Sequence, residues 1–161
     1  MKIFRFCLLR PTLLITCLSL FLGACSSNRN DRDFNGFVRE GNNLLEKEQE
    51  LTAEWKAEHI KIVKPEIRAQ FPANREALRP TAEKLIELLA RKQELSRQAA
   101  EKFENAGRHA PKDAQKQFAE LLAESFEVNV EIDELFKEQA KLILDDAVTD
   151  ALAYETRANL E

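Results

Sequence analysis

Glycine is scarce in this chain, four residues in 161, and no Gly-rich loop is present to cradle a phosphate. Histidine is scarcer still, so His59 and His109 are the only imidazoles available for a metal or a proton relay. Neither sits in an HExxH motif, and no GxSxG elbow surrounds Ser96 or Ser125. The three cysteines, Cys7, Cys17 and Cys25, all fall in the first 25 residues, which leaves the rest of the chain without disulfide or zinc-thiolate chemistry. Strand signals are nearly absent. The longest period-2 alternation, Val128 to Ile132, lies inside a stronger helical period. No apolar run approaches the roughly 20 residues that a membrane-spanning helix needs.

The longest such run, Thr12 to Leu22, has 11 residues and follows Lys2, Arg5, Arg10 and Pro11. A positive start, an apolar run of this length and a small-residue end are the parts of a secretory signal peptide. Gly23 and Ala24 are the small residues, and Cys25 follows them directly. Leu22-Gly23-Ala24-Cys25 resembles the lipobox of bacterial lipoproteins. The resemblance implies cleavage after Ala24, a diacylglyceryl group on the Cys25 thiol and a new amino terminus open to acylation. The resemblance covers only the first 25 residues; with it the chain is read as a cleaved peptide (1–24), a lipidated cysteine with a short polar tether (25–31) and, from composition and period, one helical domain (32–161). In such lipoproteins Asp after the modified cysteine favours the inner membrane. Ser26 stands there, so the expected address is the outer membrane facing the periplasm if the cell has two membranes. The tether's six residues, Ser26 to Asp31, reach at most about 20 Å. The chain ends in Leu160-Glu161 rather than in the terminal lysine that links one lipoprotein to peptidoglycan, so that role is not expected.

The net charge of the whole chain is −4, and loss of the three basic residues before Cys25 takes it to −7. An acidic domain without clustered Lys and Arg argues against a nucleic-acid partner. Composition and period make the body all-α, and the expected architecture is an elongated, coiled-coil-like antiparallel three-helix bundle. Its first helix starts near Asp31 or Asp33 and ends at about Val63, ahead of Pro65. Pro65, Pro72 and Pro80 mark a corner expected to pack against the end of the last helix. The second helix runs from about Asn74 or Thr81 to Ala106, with Gly107 as its stop and Pro111 in the first turn of the third. That third helix is expected to continue from Lys112 towards Asn159. Its buried seam is read as Phe118, Leu121, Leu122, Ser125, Val128, Ile132, Leu135, Phe136, Gln139, Leu142 and Ile143.

Several residues stand out as candidate sites. Glu120, Glu124, Glu127, Glu131, Glu134 and Glu138 recur in steps of four and three and form one acidic stripe. A solvated face paired to Arg91, Lys84, Arg39 or Lys47 is the plain reading of it; a docking strip for a basic partner, or weak calcium binding in the envelope, is the sharper one. Phe126, Val130 and Leu144 fall away from the seam and suggest a surface for self-association or for a protein partner. Ile67, Phe71 and Tyr154 would line a ligand corner, with Val148, Leu152 and Tyr154 closing over it. Glu48, Asn129, Gln139 and Asp146 read as polar groups that set register. The two histidines, about 40 Å apart by helix rise, read as surface residues. No catalytic set, metal or cofactor is expected beyond the lipid on Cys25. The expected function is therefore a non-enzymatic, membrane-anchored envelope module for interaction or spacing. The alternative is an envelope binding or chaperone-like protein that takes an apolar ligand or chain in the proline-rich corner.

Overall fold

The computed structural model describes residues 29–145, and all of its regular structure is helical. Four helices follow one another: α1 (Arg29–Val63), the short α2 (Pro65–Arg68), α3 (Arg75–His109) and α4 (Asp113–Leu144). At 1.5 Å per residue, α1 and α3 are each about 52 Å long and α4 about 48 Å. Helix α3 packs against both α1 and α4. Its pairs with α1 run Glu40 to Lys102 and Glu58 to Lys84, and its pairs with α4 run Lys92 to Asp133 and Phe103 to Phe126. Residue numbers fall on one helix as they rise on its neighbour, so α3 is antiparallel to both.

Proline sets the helix ends more than glycine does. Lys64 is extended (φ −62°, ψ 132°) before Pro65, which opens α2. In the corner the Asn74 side chain donates to the Ile67 carbonyl at 2.8 Å, and the Phe71–Pro72 bond is cis. Pro80 lies inside α3 and removes one hydrogen bond near its start. Gly107 does not stop α3: the helix continues to His109, and no glycine among the described residues has positive φ. Ala110, extended (φ −63°, ψ 125°) before Pro111, ends it instead. Pro111 therefore lies in the connection, and Lys112 precedes the first residue of α4.

The expected run of the last helix to Asn159 is also corrected. Helix α4 stops at Leu144, and Asp145 is extended (φ −81°, ψ 106°). Consecutive aspartates at 145 and 146 are poor helix formers and oppose the negative end of the helix dipole. The expected cap of Val148, Leu152 and Tyr154 lies outside the described residues, as do the signal peptide and Cys25.

Buried apolar residues form clusters along the helices. At the proline corner, Ile62, Phe71, Ala82, Leu85, Ala140 and Ile143 pack together, with Trp55, Val63, Leu78 and Leu144 against them. Toward the other end, Ala99, Ala100, Phe103, Leu122, Ala123 and Phe126 form a second cluster, and Phe34, Ala106 and Ala119 a third. Alanines on the facing sides of α3 and α4 let the backbones approach closely. Gly41 of α1 serves the same end: a Cβ there would lie 2.8 Å from the ring of Phe103.

Candidate functional site

Between the apolar clusters, three helices contribute one charged layer. The Lys92 ammonium of α3 lies 2.8 Å from Asp133 Oδ1 of α4 and 3.5 Å from Glu48 Oε1 of α1, and all three residues are buried. Thr52 Oγ1 donates to the same Glu48 oxygen at 3.1 Å, and the Trp55 ring lies 5.3 Å from the ammonium. Next to them Gln93 is fully engaged. Its Nε2 donates to the Val130 carbonyl at 3.1 Å and to Glu134 at 2.8 Å, and its Oε1 accepts from Lys137 at 2.9 Å. Burial pushes the Asp133 carboxyl above its ordinary value, and the Lys92 charge beside it pulls the other way. Among the described residues, Asp133 Oδ2 and the hydroxyl of fully buried Ser96 have no hydrogen-bond partner. Lys92 is committed to two carboxylates and a ring, so the layer works as a cross-tie rather than as a nucleophile.

His59 stands on the corner side of this layer, and it is no surface histidine. It stacks on Trp55 (centroids 4.8 Å, planes 16° apart) and meets Phe136 edge-on at 5.2 Å. Burial, helped by the positive charge of Arg68, lowers its pKa from 6.5 to about 4. His109 lies in another cluster, with its ring 5.3 Å from Phe37 and its Nδ1 2.8 Å from the Asn105 carbonyl. Among the described residues no group of three His, Cys, Asp or Glu side chains is disposed to hold a metal, and no helix is long and apolar enough to cross a membrane.

The outer face of α4 differs most from expectation. Phe126 is buried (4% exposed), with its ring stacked on Phe103 at 5.7 Å. Val130 is half-buried beside Gln93, and Leu144 packs on the corner cluster. Phe126, Val130 and Leu144 therefore do not form an exposed patch. Leu121, Val128, Ile132 and Leu135, read from the sequence as core, are instead 64, 50, 36 and 45% exposed. At 100° per residue, the buried face centres roughly 100° from the middle of the expected seam, although Leu122 and Ile143 belong to both. Close packing of Ala119, Ala123 and Ala140, together with the Asp133–Lys92 contact, selects the face that is buried.

The acidic stripe is split in its partners. Glu134 lies 2.5 Å from Lys137, Glu138 pairs with Lys141, and Glu120 is 3.9 Å from Lys116, all on α4 itself. Glu124, Glu127 and Glu131 are exposed and form no ion pair among the described residues. Lys84, an expected partner of the stripe, pairs with Glu54 and Glu58 of α1. In the corner Phe71 is buried and Ile67 half-buried, while Tyr154 lies outside the described residues. A groove of about 400 Å³, lined by Lys47, Leu51, Arg91 and Leu95 among others, opens at mid-length between α1 and α3, away from the corner.

Sequence reasoning missed Lys92 and Asp133. The available signal was position: Lys92 sits seven residues from both Leu85 and Ala99, and Asp133 seven from both Phe126 and Ala140, so each holds a core position. Compared with known proteins, the chain matches no protein-family model, no curated protein and no solved structure.

Proposed function

We propose that this chain is a lipid-anchored protein of the bacterial envelope whose helical body is a non-enzymatic interaction or spacer module. The observation that carries the address is Leu22-Gly23-Ala24-Cys25 behind an 11-residue apolar run and three basic residues. Ser26 favours the outer membrane, facing the periplasm, in a two-membrane cell. The body is an elongated antiparallel three-helix bundle, with the proline corner seated on the end of the last helix. Two features support a rod that displays a surface over one that encloses a substrate. At its centre Glu48, Lys92, Asp133, Gln93 and Glu134 are tied to one another in pairs. Phe71, which would line a ligand corner, is taken up by the core.

Metabolic labelling with a clickable fatty acid tests the anchor. The wild-type chain is expected to carry the label, lose its first 24 residues and sediment with membranes. Cys25→Ala should carry none and keep its leader. An unlabelled wild-type chain would overturn the reading.

A further inference from the structure

Leu121, Val128, Ile132 and Leu135 are spaced by seven, four and three residues, which is the heptad spacing of a coiled-coil seam. They form one exposed apolar strip about 21 Å long on a helix whose other side is already buried against α3. Glu124 and Glu131 border the strip on one side, and Glu127 stands behind them. All three lack ion-pair partners among the described residues, whereas the glutamates nearer the ends of α4 are paired within the helix.

From this juxtaposition we infer that the outer face of α4 docks a basic amphipathic helix of a partner protein, with a heptad apolar seam and Lys or Arg along one flank. The inference rests on the reading of the body as an interaction module and names the chemistry of what it engages. Charge decides among the occupants. A second copy of this chain in antiparallel pairing sets one row of glutamates against another. In parallel pairing it offers Asn129 and Phe136 opposite Glu124 and Glu131, and neither is a cation. Residues 146–161 carry Asp146, Asp150, Glu155 and Glu161 against a single Arg157, so they meet the strip with the same sign. An anionic lipid surface is repelled in the same way. A basic helix satisfies both the apolar strip and the open carboxylates.

The processed full chain, held in zwitterionic lipid nanodiscs, is titrated against three labelled three-heptad peptides, with empty discs as the blank. One peptide has Leu at the seam and Lys on the flanks, one has Glu on the flanks, and one has the lysine composition with a scrambled seam. The Leu/Lys peptide is expected to bind in preference to both others. Its affinity should fall about tenfold for Glu124→Gln/Glu127→Gln/Glu131→Gln and at least as much for Val128→Gln/Ile132→Gln/Leu135→Gln. Raising salt from about 0.1 to 0.5 M should abolish the first difference and spare the second. All six positions are exposed, and circular dichroism checks that the variants fold. Equal binding of the Lys and Glu peptides, or indifference to either triple substitution, overturns the inference. So does a dimer mass for the wild-type chain that the apolar substitutions reduce to monomer. Crosslinking in native envelope to a partner through another face, with no peptide binding, also overturns this surface while leaving the interaction-module reading standing. The fatty-acid label on Cys25 is independent of every outcome.

Discussion

Replacing Lys92 by methionine removes the ammonium that lies between two buried carboxylates while nearly conserving side-chain length. Breaking a buried ion pair from one side costs about 3–5 kcal/mol, because the remaining charge is left uncompensated. For Asp133 alone, a ceiling comes by a second route. An orphaned carboxylate can escape by taking a proton, and for a group with an ordinary pKa of 3.8 this costs about 4.4 kcal/mol at pH 7. At pH 5 the same escape costs about 1.6 kcal/mol. Lys92→Met should therefore lose about 4 kcal/mol at pH 7 and about half of that or less at pH 5. The corresponding fall in Tm at pH 7 is on the order of 12–20 °C.

Urea unfolding followed by far-UV circular dichroism, on wild type and variant at both pH values, measures this difference. Wild-type Asp133 already has its pKa raised by burial, so its ionised form opposes folding at neutral pH and that penalty is relieved as pH falls. The variant exaggerates the same trend. An apolar replacement of all three groups, Glu48→Met/Lys92→Met/Asp133→Leu, should return to within about 2 kcal/mol of wild type or exceed it. If Lys92→Met costs under about 1 kcal/mol at pH 7, or the same amount at both pH values, the three charges are not sequestered from water. The cross-tie argument then fails.

Two other outcomes follow from local geometry. Gly41→Ala should destabilise by about 1–2 kcal/mol despite the better helix propensity of alanine. The new Cβ meets the Phe103 ring at 2.8 Å, and that ring is itself clamped against Phe126; Gly36→Ala, with nothing within 4 Å, should stabilise by about 0.5–1 kcal/mol, and thermal melts of the pair separate the effects. For His59, the folded pKa of about 4 lies below the unfolded 6.5, so the unfolded chain binds more protons and stability falls as pH drops from 6.5 to about 4. The full shift corresponds to about 3 kcal/mol, which water reaching the half-buried ring reduces to about 1–2 kcal/mol. His59→Phe should flatten that limb of the stability–pH curve, and an unchanged slope would place the histidine in water.

Helix content was legible because the body is rich in helix formers and its interruptions fall at prolines. The stops were less so. Gly107 carries a familiar end-of-helix signal, yet the steric demand of Pro111 on Ala110 is what ends α3. Which face of α4 is buried was legible only in part: Leu122 and Ile143 of the expected seam are buried and Phe118, Phe136 and Leu142 pack beside them, whereas Leu121, Val128, Ile132 and Leu135 are exposed. A periodicity argument weighs Leu, Ile and Val heavily and alanine lightly, whereas two long helices in close contact favour small residues at the points of nearest approach. Glu48, a polar group at a seam position by its spacing, does lie in the buried layer, but spacing did not single out its partners. Lys92 and Asp133 interrupt an apolar pattern on each helix taken singly and make sense only as partners across the interface, a pairing that one-dimensional spacing does not encode. His59 was misplaced likewise, because its surroundings come from α1 and α4 together.

The turned face of α4 also bears on why so much apolar area remains in water. Burying a Leu, Ile or Val side chain fully is worth about 1.5–3 kcal/mol, so four such residues left about half exposed forgo on the order of 4 kcal/mol. An orientation that buried them would move Asp133 away from Lys92, leaving that ammonium and Glu48 in an apolar interior, and would drive large side chains into the narrow gap now filled by alanines. Each of these costs is comparable to the area forgone. The charged layer thus joins the alanine packing in favouring this rotation of α4 on α3, which leaves the heptad strip facing outward. Swapping Lys92 and Asp133 by Lys92→Asp/Asp133→Lys keeps the pair but moves the cation away from Glu48's oxygen. If the layer helps to set the rotation, that exchange should weaken folding while leaving the strip exposed, whereas the all-apolar layer leaves the alanine packing alone to hold α4 and should loosen its rotation.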